Sequence, residues 1–503
     1  MRDVMVRLRY TGMVAYSVSL TTMLTGLIFS VVITRRLSPE ELGAWRYIGT
    51  LINYFIIPAW LFGFWITRMT ARGLRPLATS LAITAPIMTA STALFTLMAP
   101  TFSEAIKFPE TAFLIAAIEI PIIYLYTLYE ASLNAVRPQT NYYAQLIQEV
   151  VKLPIGVLLV VLLRLGLIGA LWSAIAGFAA RALTLALLAR GIGLGTPSKQ
   201  LARILITRSW LPLYASIPPN IIALDNIIVA LSYGSAEPLG YAAAAFLLGS
   251  VTAMSGTLAA GLYPRMLQKP SPTDIEESLK MVLMIAIPTA AGITIISAPL
   301  LNILRPDYVQ AAAVMPILQL QGLVSIMLSV MDSVIAGEER ADYDDEAGFR
   351  GLVKSRLFLI PTLNYLYAAA YLPALTLALI ILKPTDPVAV LWVWITTGFT
   401  VSLALLLYKA KLARSRVPFK FPAKHVARYL AATLAMAAVL NFVRPTSLPN
   451  ALADALALTI PSILFSAIAY FGFLYIIDGD FRKLVSQALD TFGLKRQPPH
   501  TPS

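Results

Sequence analysis

Residues 40–69 read EELGAWRYIGTLINYFIIPAWLFGFWITRM, and residues 237–266 read EPLGYAAAAFLLGSVTAMSGTLAAGLYPRM. Laid over one another at a fixed offset of 197 positions and without a gap, they match at both ends. Glu40 falls on Glu237, Leu42-Gly43 on Leu239-Gly240, Leu51 on Leu248, Leu61 on Leu258, and Arg68-Met69 on Arg265-Met266. Leucines coincide by chance in any two apolar helices. An acid and a Leu-Gly at one end, with an Arg-Met at the other, do not. Each copy is an acidic turn, one apolar stretch long enough to cross a bilayer as a helix, and a basic exit. Self-similarity at this distance marks a duplicated lobe rather than a short solenoid repeat. With six spans between the copies, both keep the same orientation, which is a parallel repeat about an axis along the membrane normal; substrate sites of transporters built this way lie between the repeats.

The rest of the chain is written in the same language. Its 503 residues are 58% hydrophobic and 13% charged, with a mean hydropathy of +0.74, where a soluble domain carries about 25% charged residues. Backbone in lipid must satisfy its own hydrogen bonds, which leaves helices or closed barrels. Runs of about 20 apolar residues select helices. Fourteen spans are predicted, near 10–34, 47–66, 78–99, 111–131, 142–163, 166–189, 210–231, 239–263, 281–304, 309–336, 357–382, 389–407, 429–442 and 451–477. With the N-terminus placed in the cytoplasm, 29 of the 39 Lys and Arg fall in cytoplasmic segments and 8 in external loops. That is the positive-inside pattern, and it puts both termini in the cytoplasm of a multi-pass cytoplasmic-membrane protein. The expected organisation is an N-lobe over 1–195, a C-lobe over 196–410, and two further helices with an amphipathic tail over 411–503.

Several chemistries are excluded. There is no cysteine and only two histidines, so disulfides and thiolate or histidine metal centres are not expected. No GxxxxGK[ST] loop is present for ATP. Asp342, Asp344, Asp345 and Glu346 form an acidic loop whose spacing fails an EF-hand, since Val353 stands where the closing glutamate belongs. No loop is long enough for a catalytic domain, so neither an enzyme nor a cofactor is expected. The net charge of +13 is a topology signal and calls for no nucleic acid.

Function is then sought in ionisable groups inside spans, which cost roughly 2.5–3.5 kcal/mol each on insertion scales and so face cavities or partners. Gln145, Gln148, Glu149 and Lys152 share one face of the fifth span. Either Glu149 and Lys152 pair along the helix, or the face is a wet wall of an inward-facing cavity. The seventh span carries Pro218-Pro219 ahead of Asp225-Asn226; carbonyls freed by proline beside a carboxylate suit a proton or cation. Glu119, Tyr126 and Glu130 line the fourth span, Asp332 closes a polar stripe in the tenth, and Arg181 sits within the sixth. Arg68 and Arg265 end the two repeat copies, either as ordinary topological anchors or as guanidinium forks for phosphate oxygens. The candidate ion-coupling set is Asp225, Glu149, Asp332 and Glu119. The candidate substrate-binding set is Arg68, Arg265, Lys152, Arg181 and Gln148.

The segments VVITRRLSPEELGAWRYIGTLINYF (31–55), ITRMTARG (66–73) and ALDNIIVALSYGSAEPLGYAAAAFLL (223–248) resemble the polysaccharide biosynthesis flippases, the Wzx-like branch of the multidrug/oligosaccharidyl-lipid/polysaccharide exporter superfamily. The resemblance implies an all-α, MATE-like fourteen-helix bundle of two six-helix lobes plus two C-terminal helices. It implies a flippase that moves a polyprenyl diphosphate-linked oligosaccharide across the membrane by alternating access, with Asp225 on the family's acidic position and H⁺ or Na⁺ as a possible coupling ion. A cation-coupled multidrug exporter of the same superfamily is the competing reading. Relatives that flip cell-wall precursors carry a cavity arginine in the first span; this chain has none there, and Arg68, Arg265, Lys152 and Arg181 are its substitutes.

Overall fold

The computed structural model describes residues 21, 25, 26 and 28–491, other than 72, 138, 194, 209, 260, 261, 264, 265, 267–270 and 338–355. Most of the first expected span, Arg265 and the acidic loop at 342–346 lie outside the described residues.

Among the described residues the chain is helical throughout, and eleven helices are long and apolar enough to cross a membrane. A twelfth span is a bent pair, α1 (Pro39–Phe55) and α2 (Ile57–Ala71), joined at 51°. Pro58 causes the bend: it has no N–H to give and its ring displaces the carbonyl one turn back. The expected seventh span falls on two short helices that meet at Ala223, and its apolar part is Ile217–Tyr233. The order from there is α3 (Leu77–Ile106), α4 (Glu110–Ala116), α5 (Glu119–Asn134), α6 (Gln139–Gly156), α7 (Gly166–Ala189), α8 (Lys199–Arg208), α9 (Trp210–Ile222), α10 (Leu224–Tyr233) and α11 (Glu237–Ala253). Then come α12 (Pro272–Ile295), α13 (Ser297–Leu304), α14 (Met315–Gly337), α15 (Arg356–Leu382), α16 (Pro387–Arg416), α17 (Ala423–Val443), α18 (Leu452–Ile477) and α19 (Gly479–Thr491). The expected ninth span, 281–304, is corrected: α12 begins at Pro272 and stops at Ile295, because Pro299 cannot continue the ladder across the join with α13. A π-helical turn at Val157–Leu162 comes after Pro154 and absorbs the same kind of break in the fifth span.

The outward faces are apolar. Only 11% of the most apolar window of α3 is covered, and Phe442 on α17 is 92% exposed. Such faces are stable against lipid and costly against water, which makes this a multi-pass membrane protein.

The chain divides into two compact units. The first comprises residues 1–244 and 361–397. Within it, the start of α1 is fixed by a capping box: Glu41 N donates to Ser38 Oγ at 3.2 Å, and Ser38 N to Glu41 Oε2 at 2.9 Å. The other carboxylate oxygen, Oε1, accepts from Leu167 N at 3.1 Å. One glutamate therefore satisfies orphan N–H groups at the starts of both α1 and α7. Close by, the repeat becomes visible as geometry. A Cβ added to Gly43 would lie 1.8 Å from the carbonyl oxygen of Ala236, and one added to Gly240 would lie 1.9 Å from that of Pro39. Ala236 is the repeat equivalent of Pro39, as Gly240 is of Gly43. The two copies thus cross through a self-complementary contact, each glycine on the other's helix start.

The second unit comprises residues 245–360 and 398–503. Its core packs Ile275, Leu279 and Val282 of α12 against Val330, Met331 and Val334 of α14 and Ala413 of α16. A second cluster joins Leu283 to Tyr429, Met436, Tyr470 and Leu474 of α17 and α18.

Candidate functional site

The first unit holds two polar networks inside its apolar helices. In one, Asp225 at the start of α10 is the common acceptor. Its Oδ2 receives Tyr371 Oη and Trp394 Nε1, both at 2.9 Å, from α15 and α16, and its Oδ1 receives Asn226 Nδ2 at 2.8 Å. Asn226 is buried and accepts Arg46 Nε at 2.6 Å on Oδ1. Arg46 also stacks over Trp394, its Cζ 5.4 Å from the ring centroid. Tyr54, two turns along α1, donates to the carbonyl of Asn220 at 2.7 Å. The carboxylate therefore ties α15 and α16 to α10, and α1 joins the same network through Asn226, with the Arg46 guanidinium beside the carboxylate.

The second network lies among α5, α6 and α7. Arg181 gives Nη2 to Glu130 Oε2 at 2.6 Å and Nη1 to Gln148 Oε1 at 3.1 Å. Its Cζ sits 4.7 Å above the ring of Tyr126. Lys152 Nζ meets Glu149 Oε1 at 2.5 Å and lies 4.6 Å over the ring of Phe29. The helix-internal pair expected for the fifth span is formed, and Gln148 and Lys152 of the same face also edge a cavity. A cavity of about 300 Å³ opens beside these groups, walled by Trp45, Trp60, Phe29 and Phe178 and edged by Asn53, Gln148 and Lys152. Glu119 faces it, 7% exposed.

The second unit carries a buried ion pair and an apolar cavity. Lys409 Nζ of α16 meets Asp332 Oδ1 of α14 at 2.6 Å, with the lysine side chain 1% exposed. Removing one partner of such a pair strands the other charge, whereas replacing both with apolar groups is often neutral. Because Asp332 is partly open to solvent, Asp332→Asn is expected to cost about 1–3 kcal/mol. Lys409→Met combined with Asp332→Leu is expected to recover most of that loss in the unfolding midpoint of the purified protein. The cavity, about 350 Å³, is lined by Leu248, Val251, Pro288, Ile293, Met436, Leu440 and Ile463 among others. Its polar lining groups are already engaged: Thr289 Oγ1 with Ile285 O, Ser466 Oγ with Ile463 O, and Tyr470 Oη with Met284 O. It offers an occupant only hydrocarbon.

The tail is anchored by a third polar group. Asp478 Oδ1 accepts from Asp480 N at 2.9 Å and from Arg428 at 3.4 Å, and His425 Nε2 meets Asp480 Oδ2 at 3.1 Å. The three residues His425, Asp478 and Asp480 bring ligand atoms within 4.8 Å of one another. Arg428 and Lys483 already neutralise the acids, so the cluster reads as a tether for α19. Hydrogen bonding with His425 holds the Asp480 carboxyl below its ordinary value. A carboxyl lowered by folding stabilises the docked state above its unfolded pKa, and that contribution is lost as pH falls through the folded one. A spin label on Arg482→Cys, in a chain without other cysteines, is expected to stay immobile at neutral pH. It should gain mobility only below the ordinary carboxylate range, about pH 4.

The sequence-derived residues thus fall in different places. Asp225 centres one network; Gln148, Glu149, Lys152, Arg181 and Glu119 gather in the other; Asp332 belongs to the second unit. Arg68 lies in α2 with its side chain outside the described residues, as Arg265 is altogether. The structure adds Arg46, Tyr371, Trp394 and Lys409, which sequence reasoning misses. Hydropathy puts both cations in loops, Arg46 just ahead of a span starting at 47 and Lys409 just beyond one ending at 407. The Ser38-Pro39-Glu40-Glu41 box signals a helix from Pro39, which puts Arg46 two turns inside it.

The fold is similar to that of solved transporters. Over 93% of this chain and 99% of the other, it superposes on a structure described as the lipid II flippase MurJ in an inward closed conformation, with a TM-score of 0.65 at 15% identity. Over 78% of this chain and 95% of the other, it superposes on an inward-facing multidrug resistance MATE family transporter of the MOP superfamily, with a TM-score of 0.56 at 12% identity. No family model matches the sequence, and no curated protein does. The chain is a helical, multi-pass membrane protein of the MurJ and MATE transporter fold.

Proposed function

We propose that the protein moves a lipid-linked oligosaccharide, carried on a polyprenyl diphosphate, from the cytoplasmic to the outer leaflet of the cytoplasmic membrane. The movement is an alternating-access cycle of the two repeat lobes. The observation that carries this reading is the apolar cavity lined by α12, α17 and α18. Its polar groups are spent on local carbonyls, so it suits a hydrocarbon chain and has nothing to offer a hydrophilic solute. The lobes are the N-lobe over 1–195 and the C-lobe over 196–410, with 411–503 supplying the helices against which the lipid tail would lie. Arg68, Arg265, Lys152, Arg181 and Gln148 are the cations and amide that would bind the diphosphate. The described cations of that set are paired with Glu149 and Glu130, so a diphosphate reaching them competes with carboxylates.

The test is translocation in proteoliposomes loaded with a polyprenyl diphosphate oligosaccharide, read by its exposure to an impermeant sugar-modifying enzyme. Protein-dependent loss of protection is the expected result, and Met436→Trp or Leu440→Trp, which fill the cavity, should slow it. Unchanged protection would discard the reading. A cation-coupled exporter is the second reading, supported by the aromatic walls around Glu119, which suit a lipophilic cation. Accumulation of such a cation under a proton gradient, without flipping, would select it.

A further inference from the structure

The four carboxylates expected to couple ions are not equivalent in the structure. Asp225 accepts three hydrogen bonds beside Arg46. Glu149 is paired with Lys152 at 2.5 Å, and Asp332 with Lys409 at 2.6 Å. Glu130, which also lies within a span, holds Arg181. Each is already engaged by a hydrogen-bond or ion-pair partner. Glu119 has no hydrogen-bond or ion-pair partner among the described residues. It is buried, and it faces a cavity with room for water whose walls are mostly aromatic and aliphatic. A carboxyl in that position is stable neutral, and ionises only when the cavity brings it water or a cation.

We propose that Glu119 is the proton-loading group of the first unit: its carboxylate takes a proton from cavity water and releases it when the cavity is rehydrated from the other side. The proposal rests on reading the protein as a coupled transporter, whatever the substrate. The groups around the cavity are consistent with it. On α6, Lys152 and Glu149 neutralise each other and Gln148 is uncharged; on α7, Arg181 is held by Glu130 of α5. On α1, the wall residues Trp45 and Asn53 do not ionise, and Arg46 is turned to Asn226. On α2 the wall residue is Trp60, and Arg68 lies eight residues further along that helix. Tyr126, one wall of the same cavity, stacks on Phe178 and lies under Arg181. Tyr126 is therefore close to Glu119 on one side and to the Arg181–Glu130 pair on the other.

The full chain in nanodiscs separates this proposal from the substrate assignment. A carbodiimide that modifies protonated carboxyls in apolar surroundings is expected to label Glu119, with labelling that falls as pH rises, and to spare Asp225, Glu149 and Asp332. Trp45 and Trp60 share the cavity, so tryptophan fluorescence should show a pH transition that Glu119→Gln abolishes, Glu119→Asp restores at a shifted pH, and Asp225→Asn leaves in place. Glu119→Gln is close in shape, and an unchanged melting midpoint would exclude misfolding. A fluorescence transition that survives Glu119→Gln, or labelling at Asp225 in place of Glu119, would overturn the proposal. Loss of labelling on adding sodium at constant pH would reassign the site from proton to metal cation. A chain that titrates at Glu119 but flips no lipid would leave this inference standing and remove the lipid substrate.

Discussion

Gly43→Ala and Gly240→Ala are each expected to destabilise the protein by about 2–3 kcal/mol, while Gly49→Ala, one to two turns further along α1, is expected to be neutral or stabilising. The first two glycines sit where an added Cβ would reach within 1.9 Å of a backbone carbonyl. A side chain could turn aside; a backbone oxygen in a helix start cannot, so α1 and α11 must separate. An added Cβ at Gly49 meets nothing within 4 Å, and there the change only removes glycine's excess unfolded-state freedom, a gain of roughly 0.5–1 kcal/mol. Opposite signs from identical substitutions on one helix isolate the crossing from helix propensity. The measurement is the shift of the unfolding midpoint of the purified protein, with Gly43→Ala/Gly240→Ala as the double variant. Because the two glycines form one self-complementary contact, separating the helices once relieves both clashes, and the double variant should cost less than the sum. Additive losses would mean two independent packing defects.

Much of the architecture is legible in the sequence because lipid leaves the backbone few choices. The acidic Leu-Gly turns predict a parallel repeat, and Gly43 and Gly240 meet through equivalent residues. The spans that hydropathy misplaces fail for local reasons. It blends a helix with the segment beyond its end, so Pro299 hides the break after Ile295, and Pro58 hides the bend between α1 and α2. Charge misleads more. Arg46 and Lys409 read as loop residues because a cation is expected at a span's edge, yet each is held inside by a specific acceptor, Asn226 in one case and Asp332 in the other. Tyr371 and Trp394 carry no signal in one sequence, since aromatic residues in spans usually only pack. Their role depends on which helix ends beside Asp225, and that is a property of the tertiary arrangement.

Asp225→Ala is expected to cost about 3–5 kcal/mol, the range for stranding a buried charge by removing its partner. The substitution takes away the acceptor that Tyr371 Oη, Trp394 Nε1 and Asn226 Nδ2 share, and with it the carboxylate beside the Arg46 guanidinium. Asp225→Asn keeps the shape and one good acceptor. Its amide N–H would oppose the Asn226 amide N–H across the old Oδ1 contact, and the expected cost is about 1–3 kcal/mol. Arg46→Met removes the cation but leaves the carboxylate three neutral donors, so it should cost less than Asp225→Ala. The decisive variant is Arg46→Met with Asp225→Leu, which removes both charges together. If the network is a structural lock, the double variant should recover at least about 1.5 kcal/mol relative to additivity and regain transport along with stability. If Asp225 instead carries the coupling ion, the double variant should fold and remain inactive under every gradient. The geometry favours the lock, because Tyr371, Trp394 and Asn226 take three of the carboxylate's roughly four lone-pair sites while Arg46 stands beside it. Under the proposal made above, coupling then falls to Glu119, the buried carboxyl of this unit that no partner engages among the described residues.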